Sequence, residues 1–102
     1  MRKLLLPLIV LLFVAAPAFA ATTSTSLKDD KFTKSRLVVK KGDVVKWTWK
    51  TKNPHTVSDY KGRWSSKVAK RLTYRHKFRR RGKFTVYCKV HPVEMRQRII
   101  VK

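Results

Sequence analysis

Acidic residues are scarce in this chain: Asp and Glu number 5 against 26 Lys and Arg, giving a formal charge of +21 over 102 residues. They are Asp29, Asp30, Asp43, Asp59 and Glu94. So few carboxylates leave no pair for general acid–base work, and Glu94 has no evident companion. No Ser-His-Asp set stands out, so the chain is read as a binding or carrier protein and not as an enzyme. Cysteine is scarcer still. Cys88 stands alone, which excludes an intramolecular disulfide, and its distance from the N-terminus excludes lipid attachment there. Heptads, internal repeats and a convincing amphipathic helix are also missing, which points away from coiled coils, solenoids and bundles.

A long hydrophobic run is missing too. The apolar stretch from Leu4 to Ala16 is short, broken at Pro7 and followed by Pro17, and a membrane span needs about 20 residues. With Arg2 and Lys3 before it and Ala18-Phe19-Ala20 after it, the stretch describes a secretory signal peptide over residues 1–20. An uncleaved anchor is the plainer alternative. The expected location is outside the cytoplasm, in the periplasm, the cell envelope or the extracellular space, with no membrane span after cleavage. Residues 21–102 then form one small domain of 82 residues, and loss of Arg2 and Lys3 takes +21 to +19. That charge attracts acidic proteins, anionic lipid, cell-wall polymers or nucleic acid. A domain this small often leans on disulfides or a metal. A lone thiol in an exported chain is either reactive or a metal ligand.

What is present is period-two alternation, the mark of half-buried strands. Val45, Trp47 and Trp49 alternate with Lys46, Thr48 and Lys50. Leu72, Tyr74, His76 and Phe78 alternate with basic residues and Thr73. Phe84, Val86 and Cys88 form a third set, and Met95, Gln97, Ile99 and Val101 a fourth. Lys41-Gly42-Asp43 predicts a hairpin between Leu37–Val39 and Val44–Lys50, and Arg81-Gly82-Lys83 another turn. Ala21–Ser26 is either a flexible leader or a first edge strand. The pattern predicts an all-β sandwich or small barrel of about six to eight strands. Trp47 and Trp49 read as core, and His76, on an inward phase between Tyr74 and Phe78, reads as a core histidine. Trp64 has no placement from the pattern.

The chemistry concentrates in YCKVHPVEM and NPHTVSDY. One thiolate (Cys88), two imidazoles (His55, His91) and one thioether (Met95) make the donor set of a blue-copper electron-transfer site, which suits both oxidation states of the metal. Cys88 ends a strand on its inward phase, Lys89 and Val90 loop to His91, Pro92 stiffens the turn, and Met95 opens the returning strand. Zinc is a poorer match, because methionine is a weak zinc ligand.

These segments resemble the cupredoxins, the small blue-copper proteins of the plastocyanin, pseudoazurin and amicyanin group. RLVVKKGDVVKWTWK resembles the family's strand, Gly-Asp turn and Trp-bearing strand. NPHTV resembles the segment of the first histidine ligand, and RRRGKFTVYCKVHPVEM the aromatic strand entering the Cys–His–Met loop. The resemblance covers Leu27–Lys102. It implies a Greek-key β-sandwich, one copper ion per chain, one-electron transfer, His55, Cys88 and His91 as equatorial ligands and Met95 as axial ligand. The His91–Met95 gap is one residue longer than in amicyanin and one shorter than in plastocyanin, so axial bond and potential do not carry over. Thr56 stands where several relatives have asparagine, and Gln97 where many have glycine. Pro54, Thr56 and Gln97 are the expected supports of the site, with Pro92 and Val93 as the apolar docking rim around His91.

Three functions compete. The first is an exported blue-copper carrier, a monomer that meets an acidic redox protein or an anionic envelope surface. The second is copper storage or delivery through the same ligands. The third is a basic polyanion-binding module. Nucleic acid is disfavoured by export, and because the aromatics share the phase opposite to the charges, whereas base stacking needs exposed rings.

Overall fold

A computed structural model describes residues 20–91 and 94–102. The expected signal peptide therefore lies outside the described residues but for Ala20, and so do Pro92 and Val93 of the expected rim. Among the described residues there are seven strands and no helix: β1 (Thr22–Ser26), β2 (Arg36–Val39), β3 (Val44–His55), β4 (Ser58–Asp59), β5 (Ala69–Lys77), β6 (Gly82–Tyr87) and β7 (Arg96–Val101). No helix among these residues is long and apolar enough to cross a membrane.

The strands form two sheets, ordered β1-β3-β5 and β2-β7-β6-β4. β1 runs parallel to β3, and β2 parallel to β7; the remaining pairs are antiparallel. This is the expected all-β sandwich. Ala21–Ser26 resolves in favour of an edge strand, because its backbone finds an unoccupied side of β3.

The predicted hairpin at Lys41-Gly42-Asp43 is a correction. β2 pairs with β7 and β3 with β1 and β5, so this turn carries the chain from one sheet to the other. A turn signal marks a change of direction, and a hairpin and an inter-sheet crossing look alike in it. Gly42 adopts φ 93°, a left-handed conformation that favours glycine. Asp43 ties the corner: its carboxylate accepts N–H from Ala21 at 3.1 Å and Lys40 at 2.9 Å. Those bonds, Lys40's first, hold its carboxyl below the ordinary carboxylate range.

The period-two sets map onto the core as expected. Val45, Trp47, Trp49, Val86, Cys88, Met95, Ile99 and Val101 are buried between the sheets, with Leu27, Phe32, Leu37, Val39, Val57 and Phe78 closing the ends. Trp47 is the central plug, and its Nε1–H donates to Gln97 Oε1 at 2.8 Å across the sandwich. Gln97 in turn donates Nε2–H to Lys34 O at 2.8 Å. A buried amide and a buried indole thus satisfy each other, which burial of either demands. Trp64 packs on the same plug at 5.9 Å between ring centroids and stacks on half-buried His76 at 4.1 Å. Burial lowers the His76 pKa, so it is a neutral aromatic part of this cluster.

Candidate metal centre

β3 continues beyond the predicted Lys50 through Pro54 to His55, with a register irregularity between Lys50 and His55. A proline inside a strand is tolerated at such an irregularity, where no ladder bond is lost. The extension carries His55 to the end of the core. Cys88 follows β6 directly, in the facing sheet, so the thiol and the first imidazole meet across the sandwich and not along one sheet.

His55, Cys88 and Met95 are fully buried. His55 Nδ1 stands 3.7 Å from Cys88 Sγ. Two donors held about 2.0 Å (nitrogen) and about 2.3 Å (sulfur) from one ion, at an angle between tetrahedral and trigonal, lie roughly 3.5–3.7 Å apart. The observed separation therefore fits a shared metal. The rings of His55 and His91 are neighbours at 5.5 Å between centroids, and His91 is only half-buried. His91 Nε2 is buried with no hydrogen-bond partner among the described residues. Among those residues no three His, Cys, Asp or Glu side chains form a closed cage. What the fold brings together is the His55–Cys88 pair with His91 beside it.

The Cys88–Met95 loop is stapled by its backbone. Cys88 N–H donates to Met95 O at 3.1 Å, His91 N–H to Cys88 O at 3.2 Å, and Met95 N–H to His91 O at 3.0 Å. The three residues are fixed relative to one another whatever the spacing between His91 and Met95. Thr56 links this loop to β3. Its N–H donates to Cys88 Sγ at 3.4 Å, and its Oγ1 accepts Lys89 N–H at 2.9 Å. Thr56 thus ties the Cys88 end of the loop to β3 through both its N–H and its hydroxyl. Thr56 Oγ1 continues to Ser58 Oγ and Ser65 Oγ, each step 2.8 Å. Gln97 supports the core plug through Trp47, as described above.

Asp29 escaped the sequence reading. Its carboxylate accepts N–H from Asn53 at 2.8 Å and Lys52 at 3.1 Å, pinning the loop after β1 to the stretch that delivers His55. Those bonds, Asn53's first, lower its pKa. Asp29 Oδ1 also faces His55 Nε2 at 3.5 Å, beyond hydrogen-bond length. A carboxylate behind a histidine orients its ring. The one available clue was that this chain spends one of only five acids there.

The comparisons agree with this geometry. A profile described as copper binding proteins, plastocyanin/azurin family, matches residues 20–102. An oxidised amicyanin variant shares the fold at TM-score 0.67 and 23% identity, over 88% of this chain and 90% of that one. A reduced Cu(I) form of another amicyanin variant gives 0.65 and 25%, over 88% and 90%. A purple cupredoxin from Nitrosopumilus maritimus gives 0.68 and 18%, over 78% and 99%. No curated protein matches. With a thiol and two imidazoles gathered at one end of a two-sheet sandwich and the profile spanning the whole described domain, this chain belongs to the plastocyanin/azurin family, the cupredoxins, and is a copper-binding electron-transfer protein of that kind.

Proposed function

We propose that the chain is an exported mononuclear blue-copper carrier, in which His55, Cys88, His91 and Met95 would hold the metal. The observation that carries the reading is the buried Cys88 sulfur, 3.7 Å from His55 Nδ1 and accepting the Thr56 N–H. His55, Cys88, His91 and Met95 would hold the copper, which when bound would supply one-electron chemistry. The protein's part is to keep the donors still and dry. Cys88 is braced on one side by Thr56 and on the other by Met95 O, so little has to move when charge changes. The Thr56 N–H also fixes the direction of the sulfur.

Half-buried His91 is the exit for the electron; the expected docking rim of Pro92 and Val93 lies outside the described residues. The excess positive charge steers acidic partners into fast, weak, salt-sensitive encounters. The signal peptide over 1–20 and the domain over 21–102 complete the proposal, with the periplasm or cell envelope as its place of action.

The test is the visible and electron spin resonance spectrum of the Cu(II)-loaded protein. An intense thiolate-to-copper band that bleaches reversibly with reductant is expected. Copper binding that survives Cys88→Ser unchanged would refute the ligand set. Reversible bleaching without electron exchange with any acidic redox protein, across ionic strength, would favour storage or delivery.

A further inference from the structure

The outer face of the β1-β3-β5 sheet consists almost wholly of cations and hydroxyls. Val45, Trp47 and Trp49 of β3 point inward. Their outward neighbours are set by the register: Lys46 lies directly across from Arg75, Thr48 from Thr73, and Lys50 from Arg71. Lys77 stands opposite Val44, and Ser24 and Ser26 extend the rows onto β1. Side chains directly opposite in an antiparallel pair have Cβ atoms about 4.5–5.5 Å apart, and like charges there repel. The two cation pairs are four residues apart along each strand, which is about 13 Å.

No internal acid relieves the repulsion. Among the described residues the ion pairs are Asp59–Arg63 and the Asp29–His55 contact, neither on this face. Asp43 is committed to the corner before β3. The opposite face differs. There Arg36 lies beside Arg98, while Lys83 faces Ile100, Arg96 faces Tyr87, and Val38 and Thr85 stand between the cations. A specific protein interface centres on aromatic or aliphatic anchors. The cationic face offers only half-buried Val44.

We infer that the outer face of the β1-β3-β5 sheet is a docking surface for an anionic phospholipid bilayer. The protein rests on the headgroups through Lys46, Lys50, Arg71, Arg75 and Lys77 without inserting. The negative surface supplies the counter-charge that the chain lacks. His55 and Cys88 lie at strand ends, off this face, so the docked protein keeps its metal centre free. The inference stands apart from the electron-carrier reading and survives its failure.

The test is co-sedimentation with vesicles of phosphatidylglycerol and phosphatidylcholine, using the chain as the cell processes it. A face variant carries Lys46→Gln, Lys50→Gln, Arg71→Gln and Arg75→Gln. A control of equal net charge carries Lys61→Gln, Lys67→Gln, Arg80→Gln and Arg81→Gln. Each basic residue near an anionic surface contributes up to roughly a fivefold gain, so the face variant should bind at least about tenfold more weakly than the parent. The control should bind nearly as the parent does. Binding should vanish on pure phosphatidylcholine and in about 1 M salt, where the Debye length is about 3 Å. The face variant should melt at a temperature no lower than the parent, since it loses two repulsive pairs. Equal loss in both variants, or retention on polyglutamate but not on the anionic vesicles, overturns the inference. A lower melting temperature overturns the repulsion on which it rests.

Discussion

At the His55–Cys88 end of the sandwich the buried polar groups are tied to one another, save the Nε2 atoms of His55 and His91, whereas on the outer β3–β5 face like charges oppose one another across the register. The first region is buried, and there an unpaired donor or acceptor costs about 1–3 kcal/mol. The chain answers with Thr56, Ser58, Ser65 and the loop backbone, each within hydrogen-bond reach of the next. The second region is in water, where repulsion is screened and costs only tenths of a kcal/mol per pair. A fold can carry that indefinitely. Where polar groups are buried, structure must satisfy them; where they are exposed, a partner can.

The comparison breaks most decisively at the sulfur. Cys88→Ser should abolish the thiolate-to-copper absorption while leaving vesicle binding intact, and co-sedimentation beside the visible spectrum checks both. Trp47→Ala comes next. It empties the central plug and leaves Gln97 Oε1 without its donor, for about 3–5 kcal/mol in denaturant unfolding. A loss under about 1 kcal/mol would show that the Trp47–Gln97 link is not what joins the sheets.

Thr56→Val should cost about 1–3 kcal/mol, because Lys89 N–H and Ser58 Oγ lose a buried partner. Unlike Trp47→Ala, it should also speed release of copper, read by transfer to a chelator. Thr56→Asn should hold the metal nearly as well as threonine does.

Acid tests the strong ion pair that the described residues hold outside the centre. Buried Asp59 accepts Arg63 Nε–H at 2.6 Å and Nη2–H at 2.8 Å. These bonds, ahead of the other causes, hold its carboxyl below the ordinary 3.8. The folded state therefore takes up this proton at lower pH than the unfolded chain. The stability it contributes is complete above 3.8 and is lost as pH falls through the folded value. His76, lowered by burial from 6.5, adds a loss of the same sign that begins as pH drops below 6.5. Arg63→Gln should remove the lower step from a stability–pH profile and leave the upper one. The smallest effect belongs to the exposed face: the Lys46, Lys50, Arg71 and Arg75 substitutions should together raise stability by roughly 0.5–1 kcal/mol. A destabilised variant would erase the contrast between the two regions.

The core was legible because period two is imposed by the backbone: Val45, Trp47 and Trp49, and Met95, Gln97, Ile99 and Val101, are inward in the sequence pattern and in the structure. Cys88, His91 and Met95 were legible as a group because eight residues of loop cannot take them far apart. The hairpin at Gly42 was not, since a strand's partner is set by distant backbone. Nor was Asp29, whose contacts at the centre are with Lys52, Asn53 and His55, all more than 20 residues away. The exposed face was visible as charge, but which cations oppose which depends on the β3–β5 register.

By itself the sequence determined the alternation that makes two-faced strands, the donor types copper requires, and an excess of positive charge. Those are local or compositional properties, and they survive without knowing how strands pair. Tertiary structure alone decided that His55 reaches Cys88 from the facing sheet, that Thr56 and Asp29 back the two, and that four cations stand opposed in pairs. Each is a relation between segments distant in the chain, set when two sheets close over one core and burial selects a single pairing.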